Sequence, residues 1–226
     1  MIDAATSIVL GVDRGGRTVV RQLRCEVPML VRVVGEPGPV LNLAMVGGAA
    51  GPLGGDRLCF RLELEAGAQV AVRSVAASMA QPGPRGEPSE LAVDLVVAAG
   101  ASLDWQPQPV VSVVGSDHRV FVRLDATSTS TVTMREGVFL GRHGEQPGRF
   151  VLRERVVIDG VAVLDHETAF ATGGLMGPGA QGMARTMSTE VVIDSRLPEP
   201  VVVVTDRCLH STVHLSPVCA LAVTRT

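Results

Sequence analysis

The stretch that decides the fold reads Arg149-Phe150-Val151-Leu152-Arg153-Glu154-Arg155-Val156-Val157-Ile158, followed by Asp159-Gly160 and by residues 161–170. Apolar and charged side chains alternate through much of the first run, and this period of two is typical of a half-buried β-strand. Asp-Gly between two β-rich runs is a strong hairpin signal, because both residues tolerate positive φ. The sequence therefore predicts two paired strands joined at Asp159-Gly160.

A charged corner precedes this hairpin. Residues 141–148 contain Arg142, His143 and Glu145 among three glycines. Loops carried on a rigid sheet are a frequent place for binding residues. We therefore expect function to lie near this corner.

Runs with a similar pattern fill the rest of the chain. In residues 58–64, four apolar side chains alternate with Cys59, Arg61 and Glu63. An Ala-Gly-Ala turn follows a strand at residues 66–68 and again at residues 99–101, which suggests duplicated meander units. Turn signals recur about every eight to twelve residues, as in sandwich proteins.

The predicted fold class is mainly β, with stacked or sandwiched sheets and one or two short helices. One helix is expected at residues 180–189. The 226 residues suffice for one substantial core, so we expect a single domain over residues 1–226.

Composition excludes several classes of function. The net charge of −3 gives no electrostatic footprint for nucleic acid. No apolar run reaches the length of a membrane helix, so we expect no membrane partner. The N-terminus lacks a basic region ahead of an apolar one, so the four cysteines are expected to be reduced in the cytoplasm.

Two common catalytic patterns are missing from the sequence. The glycine-rich residues 47–55 contain neither Gly-Lys-Ser/Thr nor G-x-G-x-x-G, and no helix pattern follows them. A phosphate site of that type needs backbone amides at a helix N-terminus. The sequence gives equally little support for a serine hydrolase, because the chain has no G-x-S-x-G elbow.

One spacing is compatible with a metal site. Cys208, His210 and His214 would share one face of a strand, and a thiolate with two imidazoles suits zinc or nickel. A metal-dependent enzyme that uses these three residues is therefore one hypothesis. The alternative is a buried thiol beside two polar histidines near a loop.

Several carboxylates lie beside predicted turns. They are Asp56, Glu136, Glu145 and Glu167. Singly, each is most simply a solvated charge or the partner of an arginine, and Glu136 has Arg135 and Arg142 nearby in sequence. Together they would suit a polar passage, if the fold brings them to one place.

The only tryptophan lies in the segment Trp105-Gln106-Pro107-Gln108-Pro109. In a chain with 3% aromatic residues, a lone tryptophan is expected to anchor the core. The prolines favour an edge or a crossover, because proline cannot donate a hydrogen bond to a sheet.

Ordered blocks of sequence resemble the UreD (UreH) family of urease accessory proteins. The likeness covers roughly residues 46–170 and continues more weakly to Ile193. The blocks are Gly-Gly-Asp-Arg-Leu at 54–58, Ala-Gly-Ala at 66–68, Val-Arg-Ser-Val-Ala-Ala-Ser at 72–78, Ala-Ser-Leu-Asp-Trp-Gln-Pro-Gln-Pro at 101–109, Gly-Arg-His-Gly-Glu at 141–145, and the strand pair at 153–167.

The resemblance implies a β protein with no catalytic residues of its own. Proteins of this family join UreF and the GTPase UreG, and the assembly docks on apo-urease. Nickel(II) passes through UreF and then through a tunnel in UreD, with no tightly bound cofactor. Carried over to this chain, the polar lining of that path would include Asp56, Ser74, Glu136, Glu145 and Glu167.

Two features depart from the family pattern. The chain ends at residues 222–226 in a predicted strand, whereas the family continues into a C-terminal helical segment, and this puts docking through that segment in doubt. The spacing of Cys208, His210 and His214 is not a feature of the family. A plain β-rich interaction domain therefore stays open as a third hypothesis.

Overall fold

Two β-sheets make up the described part of the protein. The computed structural model describes residues 1–170, 184–197, 201–204 and 208–226, and within these residues there is no helix that could span a membrane. The strands in chain order are β1 (Asp3–Val12), β2 (Thr18–Arg24), β3 (Met29–Val34), β4 (Leu41–Gly47), β5 (Arg57–Leu64), β6 (Gln69–Ser74), β7 (Met79–Ala80), β8 (Ser89–Val97), β9 (Ser102–Gln106), β10 (Val110–Ser112), β11 (Asp117–Ala126), β12 (Thr131–Leu140), β13 (Arg149–Ile158), β14 (Val161–Phe170), β15 (Thr186–Ile193), β16 (Val201–Val204), β17 (Leu209–Ser216) and β18 (Cys219–Arg225).

The strands divide between a smaller and a larger sheet. The smaller sheet has seven strands in the order β14-β13-β11-β8-β5-β1-β2. The larger has eleven, nine of them in the order β16-β17-β18-β15-β12-β9-β6-β4-β3, with β10 paired to both β12 and β7. The predicted mainly β class with stacked sheets is therefore confirmed.

In the middle of the sequence, successive strands alternate between the two sheets, so that the chain follows a helical path with one strand of each sheet per turn. Strands β5, β8, β11 and β13 pair in parallel in the smaller sheet, and β4, β6, β9 and β12 pair in parallel in the larger. The expected meander units are therefore wrong: the turns at 66–68 and 99–101 link strands of opposite sheets. A turn sequence specifies that the chain bends, but it does not specify which strand pairs with which. Each of these strands pairs with the next strand of the same sheet, one turn of the helical path further along the chain, and long-range contacts set that pairing.

The core lies between the inner faces of the sheets. In the smaller sheet, Phe60, Val93 and Val122 are aligned across β5, β8 and β11, and all are buried. Trp105 enters from β9 of the larger sheet, and its ring centroid lies 5.2 Å from that of Phe60. The expected core position of Trp105 is confirmed, since only 2% of its surface is exposed.

The hairpin predicted at Asp159-Gly160 is confirmed. Asp159 has φ 50° and Gly160 has φ 81°, which are left-handed values that suit a tight turn between twisted strands. β13 and β14 pair antiparallel on either side of it.

The helix expected at residues 180–189 is contradicted where the structure describes it. Residues 186–189 open strand β15, and residues 180–183 lie outside the described part. Every second side chain of β15 is buried, and the strand pairs antiparallel with both β12 and β18. Sheet pairing on both sides outweighs the weak local helix preference.

We predict that Trp105→Ala lowers the free energy of unfolding by about 3–5 kcal/mol, because it removes a large, fully buried ring from the core. Urea denaturation would measure the loss. Val75→Ala is the control, since Val75 is 65% exposed and should change stability little. Equal midpoints for the Trp105→Ala chain and the unsubstituted chain would contradict this role.

Candidate functional site

A cavity of about 140 Å³ lies between the two sheets. Apolar side chains from both inner faces line most of it, including Phe60, Trp105 and Phe150. The loops around Pro52 and Pro107 also contribute to its lining. A largely apolar cavity with a few polar groups is the usual form of a small-ligand site, and here the polar side chains are Ser74, Ser78, Gln108, His118 and Glu136.

Glu136 projects inward from β12, between the buried side chains of Met134 and Val138. The Trp105 indole Nε1–H donates a hydrogen bond of 2.7 Å to Glu136 Oε1. Burial raises the pKa of Glu136 to about 8, although the Trp105 hydrogen bond opposes the rise and the nearby Glu154 adds to it. Glu136 is therefore mostly protonated at neutral pH.

Glu154 projects inward from β13 of the other sheet and is fully buried. The Thr189 hydroxyl donates a 2.8 Å hydrogen bond to Glu154 Oε1, whereas Oε2 is buried with no hydrogen-bond partner. Burial raises the pKa of Glu154 to about 7. Since Thr189 pairs with Glu136 across β12 and β15, two carboxyl groups approach each other from opposite sheets.

His118 is a third buried titratable group, on β11. Its Nδ1 lies 2.9 Å from the Ser89 hydroxyl oxygen, and its Nε2 has no hydrogen-bond partner. Burial lowers the pKa of His118 to about 4, although contacts with Ser89 and Asp117 work in the opposite direction. The imidazole at the cavity is therefore neutral at neutral pH.

Ser74 lines the cavity, and Asp56 is hydrogen-bonded to Leu53 in the loop that contains Pro52. The Ser74 hydroxyl lines the cavity and accepts a hydrogen bond of 2.6 Å from the Gln108 backbone N–H. The buried Asp56 carboxylate accepts backbone hydrogen bonds from Ile2, at 2.7 Å, and from Leu53, at 2.9 Å. Asp56 therefore ties the N-terminus to the loop next to the cavity.

The other two predicted carboxylates lie on the exterior. Glu145 accepts hydrogen bonds from the backbone and guanidinium of Arg142, and these hold the pKa of Glu145 at about 2. Glu167 is an exposed side chain of β14. The structure thus brings Ser74 and Glu136 to one cavity, with Asp56 beside it, and leaves Glu145 and Glu167 outside.

The simple expectation that Glu136 pairs with an arginine is wrong. Arg135 pairs with Glu190, and Arg142 pairs with Glu145. Successive side chains of a strand point to opposite faces, so Arg135 faces outward while Glu136 faces the core.

The alternative metal residues lie in and beside β17. His210 Nδ1 is 2.7 Å from the Thr224 hydroxyl, and His210 Nε2 is 3.2 Å from the Thr212 hydroxyl. His214 is exposed and Cys208 is half-buried. Among the described residues no three His, Cys, Asp or Glu side chains converge as metal ligands, so Cys208, His210 and His214 do not form a ready-made site.

Sequence reasoning missed His118 and Glu154. Both interrupt an alternating apolar pattern on the buried face of a strand: His118 precedes Val120 and Val122, and Glu154 stands between Leu152 and Val156. The available signal for a buried functional residue was a polar side chain at a strand position where the alternation predicts an apolar one. It is clear only once the inward face is known.

The fold and the cavity define a class of protein: an all-β protein of two stacked sheets that encloses protonatable carboxyl groups. The family model for "UreD urease accessory protein" matches residues 4–212. The chain belongs to this family.

Individual relatives agree with this assignment. The urease accessory protein UreD of Streptomyces avermitilis is 38% identical over 186 residues, which cover 81% of this chain and 73% of the relative. Urease accessory protein UreD 3 of Streptomyces griseus is 38% identical over 168 residues, 73% of this chain and 63% of the relative. The match to UreD of a Parafrankia species, at 37% identity, covers 70% of this chain and 53% of the relative. The chain thus spans about half to three quarters of the length of these relatives.

We predict that Glu136 makes the protein less stable as pH rises from 6.5 to 8. The folded-state pKa of Glu136 is raised from its ordinary value of 4.5, so in this range the unfolded chain has released a proton that the folded chain keeps. Ionisation therefore favours unfolding, and Glu136 should lower stability by up to about 1.4 kcal/mol per pH unit.

Glu136→Gln removes this titration and can still accept the Trp105 hydrogen bond through its amide oxygen. The measurement is the free energy of unfolding in urea across this pH range, for both chains. Glu154 contributes with the same sign up to about pH 7 in each, so the difference between the two chains reports Glu136. Parallel curves would contradict the prediction.

Proposed function

We propose that this chain is a non-catalytic factor in urease maturation and that it provides a passage for Ni²⁺ between its two sheets. Membership of the UreD urease accessory protein family supports the role in maturation. The observation that carries the passage is the Glu136 carboxyl group, which lines an interior cavity rather than the surface.

The proposal includes partners that the resemblance implies. The chain would act with UreF and the GTPase UreG on the urease apoprotein, and Ni²⁺ from UreG would enter through UreF. In this scheme Ni²⁺ is the cargo and not a resident cofactor. The scheme requires a route by which the ion enters this chain and leaves it.

The polar groups in the interior support such a route. Ser74 lines the cavity and so does Glu136, and Thr189 connects the region of Glu136 to Glu154. Beyond Glu154, the half-buried His166 is its cross-strand neighbour on the edge strand β14. These residues make a broken line of polar side chains across a largely apolar interior.

The chemistry of these groups suits transit better than storage. The raised pKa values of Glu136 and Glu154 favour their protonated forms in the absence of a metal ion, which lowers the cost of burying these groups. An arriving divalent cation would take the place of a carboxyl proton, since metal ligands bind in their deprotonated form. Oxygen donors hold Ni²⁺ less tightly than a full set of thiolate and imidazole ligands, so the ion can move on.

The remaining residues of the expected lining have other places in the proposal. Asp56 would act beside the loop that contains Pro52, which it holds through Leu53. Glu145 and Glu167 would act on the outer surface, before or after the interior path.

We predict that Ser74→Trp strongly lowers the nickel content of co-expressed urease, because an indole placed at this position fills the cavity. Val75→Trp is the matched control: it adds the same bulk at the neighbouring position, whose side chain is exposed. Nickel per urease active site is the readout, and a pull-down with UreF and UreG checks assembly. Full nickel loading with Ser74→Trp, or equal loss with both variants, would contradict the passage.

A second prediction concerns single and paired carboxylates. Asp56→Ala should reduce nickel loading mildly, because neighbouring oxygens and water can replace one donor, and the pair Asp56→Ala with Glu136→Ala should reduce it more severely. The same loading assay measures both. If the complex itself is lost in the pull-down, these residues are structural and the assignment to the passage fails.

A further inference from the structure

The buried histidine at the cavity has no role in the path described so far. His118 borders the cavity beside Phe150, with ring centroids 6.1 Å apart, and is fully buried. Its Nε2 atom has no hydrogen-bond partner. An unsatisfied polar atom in a buried place costs stability, so it calls for an explanation.

The contacts around His118 favour one position for the proton of the neutral ring. The Ser89 hydroxyl lies 3.5 Å from the Asp117 carbonyl oxygen, which can only accept. With its own proton directed there, the Ser89 oxygen accepts from His118 Nδ1–H. This leaves the lone pair of the neutral ring on Nε2, the atom without a partner.

One ring nitrogen held by a protein oxygen and the other left without a partner is an arrangement compatible with a metal ligand. A ligating histidine donates its other ring N–H to a protein oxygen, which sets both the tautomer and the orientation of the ring. Ser89 supplies that contact here. The same cavity is lined by the carboxyl group of Glu136 and by Met29 and Met45, whose thioethers are soft donors.

We propose that His118 Nε2 is a nitrogen ligand for divalent transition-metal ions in the cavity, and that it makes the passage select these ions over Mg²⁺. Imidazole suits nickel, zinc and copper, whereas Mg²⁺ prefers carboxylate, carbonyl and water oxygens. The selection rests on the proposed passage, but binding at His118 can be tested without it.

The small number of donors makes the bound state brief. His118 and Glu136 offer one nitrogen and one carboxyl group, and no cluster of three His, Cys, Asp or Glu ligands exists among the described residues. Water would complete the coordination of the ion. Such a site can prefer nickel to magnesium and still release it.

The first experiment observes the histidine rings directly. The purified full chain, labelled with ¹⁵N-histidine, is titrated with NiCl₂, CoCl₂ or MgCl₂ while ring signals are recorded by NMR. The chain has five histidines, and His118→Gln assigns the signal of interest. Ni²⁺ and Co²⁺ should broaden the His118 signal, and MgCl₂ should leave it unchanged.

Two results would overturn the proposal. One is a His118 signal that stays unchanged while exposed rings such as those of His143 and His214 respond to Ni²⁺. The other is an equal response of His118 to MgCl₂. Both results are read from the unsubstituted chain, and His118→Gln, with its fold checked by circular dichroism, serves only to assign the signal.

The second experiment tests whether His118 binds the metal ion directly or has only a structural role. His118→Gln keeps a polar side chain of similar size and should weaken Ni²⁺ binding about tenfold or more. Ser89→Ala removes only the contact that orients the imidazole ring and should weaken Ni²⁺ binding by about tenfold. Calorimetry with NiCl₂ gives both values, and circular dichroism confirms the fold. Unchanged Ni²⁺ affinity in a folded His118→Gln chain would contradict the assignment.

Nickel loading of co-expressed urease distinguishes this inference from the passage itself. If Ser74→Trp blocks loading and His118→Gln does not, the passage stands and the role of His118 fails. If Ni²⁺ binding depends on His118 while Ser74→Trp loads urease fully, the metal ligand stands and the passage fails. If both variants load urease poorly and His118→Gln also weakens Ni²⁺ binding, both proposals are supported.

Discussion

Parallel pairing between strands that lie one turn of the helical chain path apart is the constraint on which the rest of this structure depends. Leu58, Leu91, Val120 and Leu152 stand side by side because β5, β8, β11 and β13 keep one register. A slip of one residue in any strand would turn its apolar side chains toward solvent, so the register is strongly held. The same register also places inside the protein the polar residues that occupy inward-facing positions of these strands.

Burial shifts the ionisation of these polar residues toward their neutral forms. Burial raises the pKa values of Glu136 and Glu154, and it lowers the pKa of His118. Apolar residues of similar size would avoid the cost of burying these groups, and perturbed ionisable groups of this kind concentrate at functional sites. The hydrogen bond from Trp105 to Glu136 joins the packing of the core to the chemistry of the cavity.

The family assignment and the cavity support different parts of the functional proposal. A fold is shared by many activities, so function is argued from the groups in a site. Similarity to UreD proteins supports a role in urease maturation, whereas the buried carboxyl groups support a path for a cation. In the proposed scheme, His118 adds a donor of another chemical type and so makes the passage selective for transition-metal ions.

By itself, the sequence determined the strand pattern, the Asp159-Gly160 turn and the burial of Trp105, because alternation and turn chemistry act between near neighbours. Only the tertiary structure decided which strands pair, that successive coils run in parallel, and that Trp105 meets a carboxyl group 31 residues away. A local pattern says which side chains share a face, but not what lies opposite that face. The partners of Glu136 and Glu154, and hence their pKa values, depend on contacts between sheets that no short stretch of sequence contains.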